Sequence, residues 1–169
     1  QYFKWVRQFF YYEPVALIEE ATGWTILGEN NLRILSWQTR SPVFDLIAQR
    51  LPQTLWVVGL AYLFSILIAI PIGVISAYKQ YSIFDQLGTF VALVGFSVPT
   101  FFTGLMAILI FSVQLRWLPS IYDTTLVVND WSSFMQQVRQ MIMPVMVLTF
   151  YNASQLSRFM RSSMLENLS

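Results

Sequence analysis

The chain has no cysteine and no histidine among its 169 residues. The first absence removes disulfides, thiol nucleophiles and cysteine-based metal sites. The second removes the commonest general base and the commonest metal ligand. Charge is scarce, at 11% of residues against about 25% in a soluble domain. A net charge of +1 offers no basic field, so no nucleic-acid partner is expected. There is no G-x-x-x-x-G-K-S/T phosphate loop, so ATP is not expected to bind this chain in that way.

The positions of the missing charges are more informative than their number. Residues 51–78, 86–115 and 140–157 contain no Asp, Glu, Lys, Arg or His. Crossing the hydrocarbon core of a bilayer takes roughly 20 mainly apolar residues in a helix. Every backbone N–H and C=O must find an internal partner there, which makes helix the expected form. The alternative, a soluble helical protein with a greasy core, requires a polar face that these stretches lack. The expected fold is an all-α membrane protein, a polytopic helical bundle with spans at about 53–78, 86–115 and 140–164.

Residues 1–50 are of mixed polarity and form a separate amphipathic segment in this reading. Tyr2, Trp5, Phe9 and Tyr12 recur at helical spacing, which suits a short helix at a membrane surface or one packed on extramembrane protein. Glu13-Pro14 and Gly23 read as punctuation, and Ser41-Pro42 as the opening of a second short helix over 42–50. Residues 78–85 are a polar link, and 116–139 a loop with a short helix capped by Asn129 or Asp130. Trp56 and Trp117 fit one membrane interface, with Tyr78 and Tyr81 at the other. The chain begins at Gln1 and ends in helical pattern at Ser169, so the membrane domain over 51–169 is expected to be incomplete at both ends.

Within the first span, Ala61, Ser65, Ala69, Gly73 and Ala77 place a small residue at every fourth position. In lipid, such residues allow close backbone approach between helices. Gly95 and Gly104 extend the list of packing candidates to the second span. Pro71 is expected to kink the first span. Pro99, amid Ser97, Thr100 and Thr103, is expected to bend the second at a hydroxyl-rich site. Asn152 and Gln155 share a face of the third span. Amides there either bond a neighbouring helix or line a polar path. Ser97, Pro99, Thr100, Thr103, Asn152 and Gln155 are therefore the translocation-path candidates.

None of the three spans holds a nucleophile–base pair, a metal-ligand cluster or a coupling carboxylate. An intramembrane hydrolase is disfavoured on that ground. Energy for uphill transport would have to come from another subunit.

Several runs also carry a family likeness. They are Ile47 to Leu55 (IAQRLPQTL), Ile70-Pro71-Ile72-Gly73-Val74, and Gly95-Phe96-Ser97-Val98-Pro99-Thr100-Phe101 followed by Gly104. Trp117-Leu118-Pro119 and Arg158 to Glu166 (RFMRSSMLE) complete the set. In order and spacing they resemble the permease subunits of the dipeptide/oligopeptide/nickel ABC importers. The resemblance implies a type I ABC-importer permease in the bacterial inner membrane, crossing it several times. It implies a homologous second permease, two cytoplasmic ATPases that hold the ATP, a periplasmic solute-binding protein, and membrane lipid around the whole. It implies that this chain is not itself an enzyme and carries no cofactor. It places Arg158, Arg161 and Glu166 near the ATPase-coupling side, and residues 1–50 and 116–139 in the periplasm. Arg33, Arg40, Arg50, Arg116 and Arg139 on that outer side oppose a simple positive-inside count. The orientation rests on the resemblance. The competing reading is a structural subunit that anchors a larger complex and moves nothing.

Overall fold

A computed structural model describes residues 2–26 and 33–168. Residues 1, 27–32 and 169 of the two expected segments lie outside the described residues. Among the described residues the structure is helical, with one isolated bridge between Leu35 and Pro42. The chain divides into two compact units, Gln1–Pro52 and Gln53–Ser169.

The first unit opens with α1 (Tyr2–Arg7), which runs through a π-helical turn at Gln8–Tyr12 into α2 (Glu13–Thr22). The expected break at Glu13-Pro14 does not occur. Pro14 falls in the first turn of α2, where a missing N–H is tolerated. Gly23 ends α2 at φ 73°, the left-handed conformation that glycine adopts most readily, and its N–H donates to the Glu19 carbonyl. Arg33 gathers three carboxylates, with Nη2 2.9 Å from Asp45, Nη1 3.2 Å from Glu20 and Nε 3.7 Å from Glu13. Glu13 is buried and also accepts from the Ile34 backbone N–H. Phe9 and Phe44 pack with ring centroids 5.1 Å apart.

The helix α3 (Val43–Tyr78) corrects one sequence expectation. Residues 42–50 do not form a separate short helix; 43–50 are the first turns of α3, which continues through Pro52 and Pro71. Ala61, Ser65, Ala69, Gly73 and Ala77 are all buried on one stripe. Leu55, Leu63, Leu67 and Ile70 on other faces are exposed, an apolar surface that suits contact with lipid.

The second uncharged stretch is two helices. The helix α4 (Ile83–Ser97) ends at Val98, and α5 (Thr100–Ala107) continues in a π-helical stretch, Ile108–Gln114. The two halves meet at 98°, a break far larger than a proline kink in one rod. The residue before a proline is driven out of the helical region, and Val98 accordingly sits at φ −81° and ψ 125°.

The last helix, α6 (Trp131–Leu168), is also longer than expected. The short loop helix and the third span are one element, which passes through Pro144. Asp130 is the cap: its Oδ1 accepts from the Ser133 N–H at 3.0 Å, while Ser133 Oγ receives the Asp130 N–H at 3.1 Å. This reciprocal arrangement satisfies donors at the helix start.

Among the described residues one helix, α3, is long and apolar enough to cross a membrane, and a second crossing exists if the bent pair counts as one. The expected third span does not meet that measure. Gln140, Asn152 and Gln155 dilute its apolar run. Its hydroxyl residues Thr149, Ser154 and Ser157 are buried within the chain. Thr149 Oγ1 donates to the Ala61 carbonyl at 3.3 Å, and Ser65 Oγ lies 3.3 Å from the Thr149 carbonyl. Polar atoms of α6 are thus turned inward onto α3.

Candidate functional site

Glycine governs how closely the helices approach. A Cβ built on Gly73 would stand 2.6 Å from Met160 Cβ and 2.8 Å from the Ser157 carbonyl oxygen, so α3 and α6 touch backbone to backbone. At Gly95 a Cβ would meet Ser154 Oγ at 2.1 Å, so α4 and α6 are equally close there. Gly104 behaves differently from the other packing candidates, since a Cβ there would meet nothing within 4 Å.

Above these contacts the break between α4 and α5 opens a groove of about 540 Å³. Its walls include Tyr62 of α3, Ser97, Pro99 and Thr100 at the break, and Tyr151 and Asn152 of α6. No charged side chain lines it. The groove brings together four of the six path candidates: Ser97, Pro99, Thr100 and Asn152. Thr103 and Gln155 do not line it. The Thr103 hydroxyl turns back to the Pro99 carbonyl at 3.4 Å, which also accepts the Phe102 and Thr103 N–H groups at 3.0 and 3.1 Å. Tyr62 and Tyr151 were not anticipated. Tyr151 follows Leu148 by three residues and stands beside Asn152, a helical spacing that would have placed it on the same face. Phe96 stacks on Tyr151 with centroids 6.5 Å apart, and the Arg158 guanidinium lies 4.9 Å from the Phe96 ring centre.

Asp85 and Arg161, 76 residues apart, form a bidentate ion pair with Nε to Oδ1 at 2.6 Å and Nη2 to Oδ2 at 2.8 Å. Asp85 is 3% exposed and accepts in addition from the Tyr81 N–H at 3.1 Å. The Asp85 N–H donates to Ser82 Oγ, the N-cap of α4. Arg161, placed by the resemblance near the ATPase, is therefore engaged within the chain, joining the start of α4 to the last third of α6. Glu166 is exposed on the same helix.

No cluster of three or more His, Cys, Asp or Glu that could hold a metal exists among the described residues. The arrangement is a neutral, partly aromatic groove framed by tight helix crossings and one ion pair. It offers hydroxyls, an amide and ring faces for binding, and no pair of groups for covalent chemistry.

Residues 69–169 match the family described as the binding-protein-dependent transport system inner membrane component, and the chain belongs to that family. It is 36% identical over 128 residues to the oligopeptide transport system permease protein AppB of Bacillus subtilis, covering 76% of this chain and 40% of that protein. It is 36% identical over 131 residues to a putative peptide transport system permease protein of Brucella suis, covering 78% and 40%. It is 32% identical over 150 residues to the dipeptide transport system permease protein DppB of Alkalihalophilus pseudofirmus, covering 79% and 45%. The chain thus spans about two fifths of the length of these relatives.

Proposed function

We propose that the chain is part of a membrane-spanning permease subunit in an ATP-driven, binding-protein-dependent importer for peptides. A homologous second permease, two cytoplasmic ATPases and a periplasmic binding protein complete the assembly, which sits in the bacterial inner membrane and crosses it several times. Membership of the transport family over residues 69–169 is the observation that carries this reading. The groove supports it. Tyr62, Ser97, Thr100, Tyr151 and Asn152 present neutral donors and acceptors suited to peptide groups. With no fixed charge, selection inside the membrane falls to shape. Alternating access then follows from rigid movement of helix groups about the break at Val98-Pro99.

The test is uptake of a labelled peptide into proteoliposomes holding the full-length permease with its partner subunits. The reading requires uptake that depends on both ATP and the binding protein. A complex that assembles and hydrolyses ATP without responding to peptide would favour an anchoring subunit.

A further inference from the structure

Two grooves meet at Gln140. One is apolar, about 490 Å³, and runs between α5 and α6 past Gly104, Ala107, Met143 and Pro144. The other is a polar basin of about 1100 Å³ bordered by Arg116, Trp117, Trp131 and Arg139. Pro119, Ile121 and Gln140 belong to both. The floor of the apolar groove is open at Gly104, where a Cβ would meet no atom within 4 Å.

The polar atoms at this junction are unevenly satisfied. Gln140 is 5% exposed, and its Oε1 accepts from the Asp123 N–H at 2.5 Å. Its Nε2 is buried without a partner. A buried donor of this kind gains from any acceptor that comes within reach of its N–H. The two carboxylates of the basin are already engaged. Asp123 accepts from the Thr125 N–H and hydroxyl at 2.9 and 2.6 Å, and Asp130 accepts from the Ser133 N–H and hydroxyl. The Arg116 and Arg139 side chains make no ion pair or hydrogen bond among the described residues. Arg116 also holds φ at 57°, a left-handed position after a helix end where glycine is the usual occupant. A long cationic side chain kept there at a conformational cost fits a binding role.

An apolar slot, an unmet amide donor and two unpaired guanidinium groups in sequence describe an amphiphile with an anionic head. We propose that the joined grooves hold one glycerophospholipid. An acyl chain lies in the slot past Gly104, an ester carbonyl accepts from Gln140 Nε2, and the phosphate lies against Arg116 and Arg139. The pairing follows from guanidinium geometry, which matches phosphate oxygens. A free phosphate ion would leave the apolar slot without an occupant.

The experiment uses the full-length permease in its complex, stripped of lipid in mild detergent. Dioleoylphosphatidylglycerol is added and its retention measured by native mass spectrometry. The Arg116→Gln, Arg139→Gln double variant is expected to lower retention by roughly tenfold or more, given the worth of each cation near a lipid phosphate. Gly104→Leu, which fills the slot, is expected to lower it too, with complex yield unchanged. Dioleoylglycerol, which lacks the phosphate, should bind weakly and ignore the arginine changes. Equal retention by the native protein and both variants would overturn the proposal. So would displacement of the lipid by inorganic phosphate, or a Gly104→Leu complex that fails to assemble, since another helix would then fill the slot. Uptake is not the readout, so failure here leaves the importer reading untouched.

Discussion

Three glycines face three different surroundings, and alanine at each should produce three different results. At Gly73 the new methyl would lie 2.6 Å from Met160 Cβ and 2.8 Å from the Ser157 carbonyl oxygen. Carbon atoms rest about 3.5–4.0 Å apart, so α3 and α6 must separate by roughly 1 Å. Neither obstacle can rotate away, because one is a Cβ and the other is backbone. Overpacking of this kind costs about 1–3 kcal/mol, and the alanine recovers only about 0.5–1 kcal/mol of helix preference. At Gly95 the first obstacle is Ser154 Oγ at 2.1 Å, which can rotate at the expense of its 2.7 Å bond to the Phe150 carbonyl. Ser154→Ala should therefore relieve Gly95→Ala in part. Met160→Ala should not relieve Gly73→Ala, because the offending Cβ stays. Gly104→Ala meets no obstacle and should stabilise slightly, by at most about 0.5–1 kcal/mol of helix preference. Thermal unfolding of the intact complex in nanodiscs measures all five. Backbone contact at Gly73 is contradicted if Gly104→Ala proves as damaging as Gly73→Ala, or if Met160→Ala rescues the latter.

Two further outcomes follow from the ion pair and the helix cap. Asp85→Asn and Arg161→Met should each destabilise the complex by about 2–4 kcal/mol, somewhat below a fully buried pair because the Arg161 side chain is 29% exposed. The double variant should lose less than the sum, and simple additivity in thermal unfolding would refute the coupling. At the start of α6, the hydroxyl and N–H of Ser133 hold the Asp130 carboxyl below its ordinary value of 3.8. The folded state lowers that pKa, so the cap is fully present above 3.8 and is lost as pH falls through the lower folded value. Protection of the Ser133 and Phe134 amides against exchange, taken relative to their intrinsic rates at each pH, should therefore fall on acidification. Asp130→Asn, which keeps the acceptor without the titration, should abolish that loss of protection; an unchanged protection profile would rule out Asp130 as its source.

The stripe from Ala61 to Ala77 was readable because helix spacing alone puts every fourth residue on one face, and lipid rewards small residues there. The interruption near Pro99 was readable for a local reason, the restriction a proline imposes on Val98. Its 98° angle was not, since nothing local fixes how the second half leaves. The boundaries of α3 and α6 were misjudged where Pro52 and the polar residues 129–140 looked like breaks in the apolar pattern. Pro42 lies just before α3, the helix carries Pro52 in its interior, and a good cap at Asp130 starts α6 early. Glu13-Pro14 misled in the same way. The Asp85–Arg161 pair was invisible because its partners are 76 residues apart and each looked like part of a surface. In the groove, Ser97, Thr100 and Asn152 announced themselves as polar atoms in apolar spans. Tyr62 and Tyr151 did not, because aromatic residues are unremarked in a membrane helix.

The most direct measurement is peptide uptake by complexes carrying Ser97→Trp or Asn152→Trp, each compared with Gln155→Trp, whose position does not line the groove. If solute passes between Tyr62, Ser97 and Asn152, the first two variants assemble in normal yield and lose uptake, while the third transports. Normal uptake by Ser97→Trp and Asn152→Trp would contradict a path through this groove.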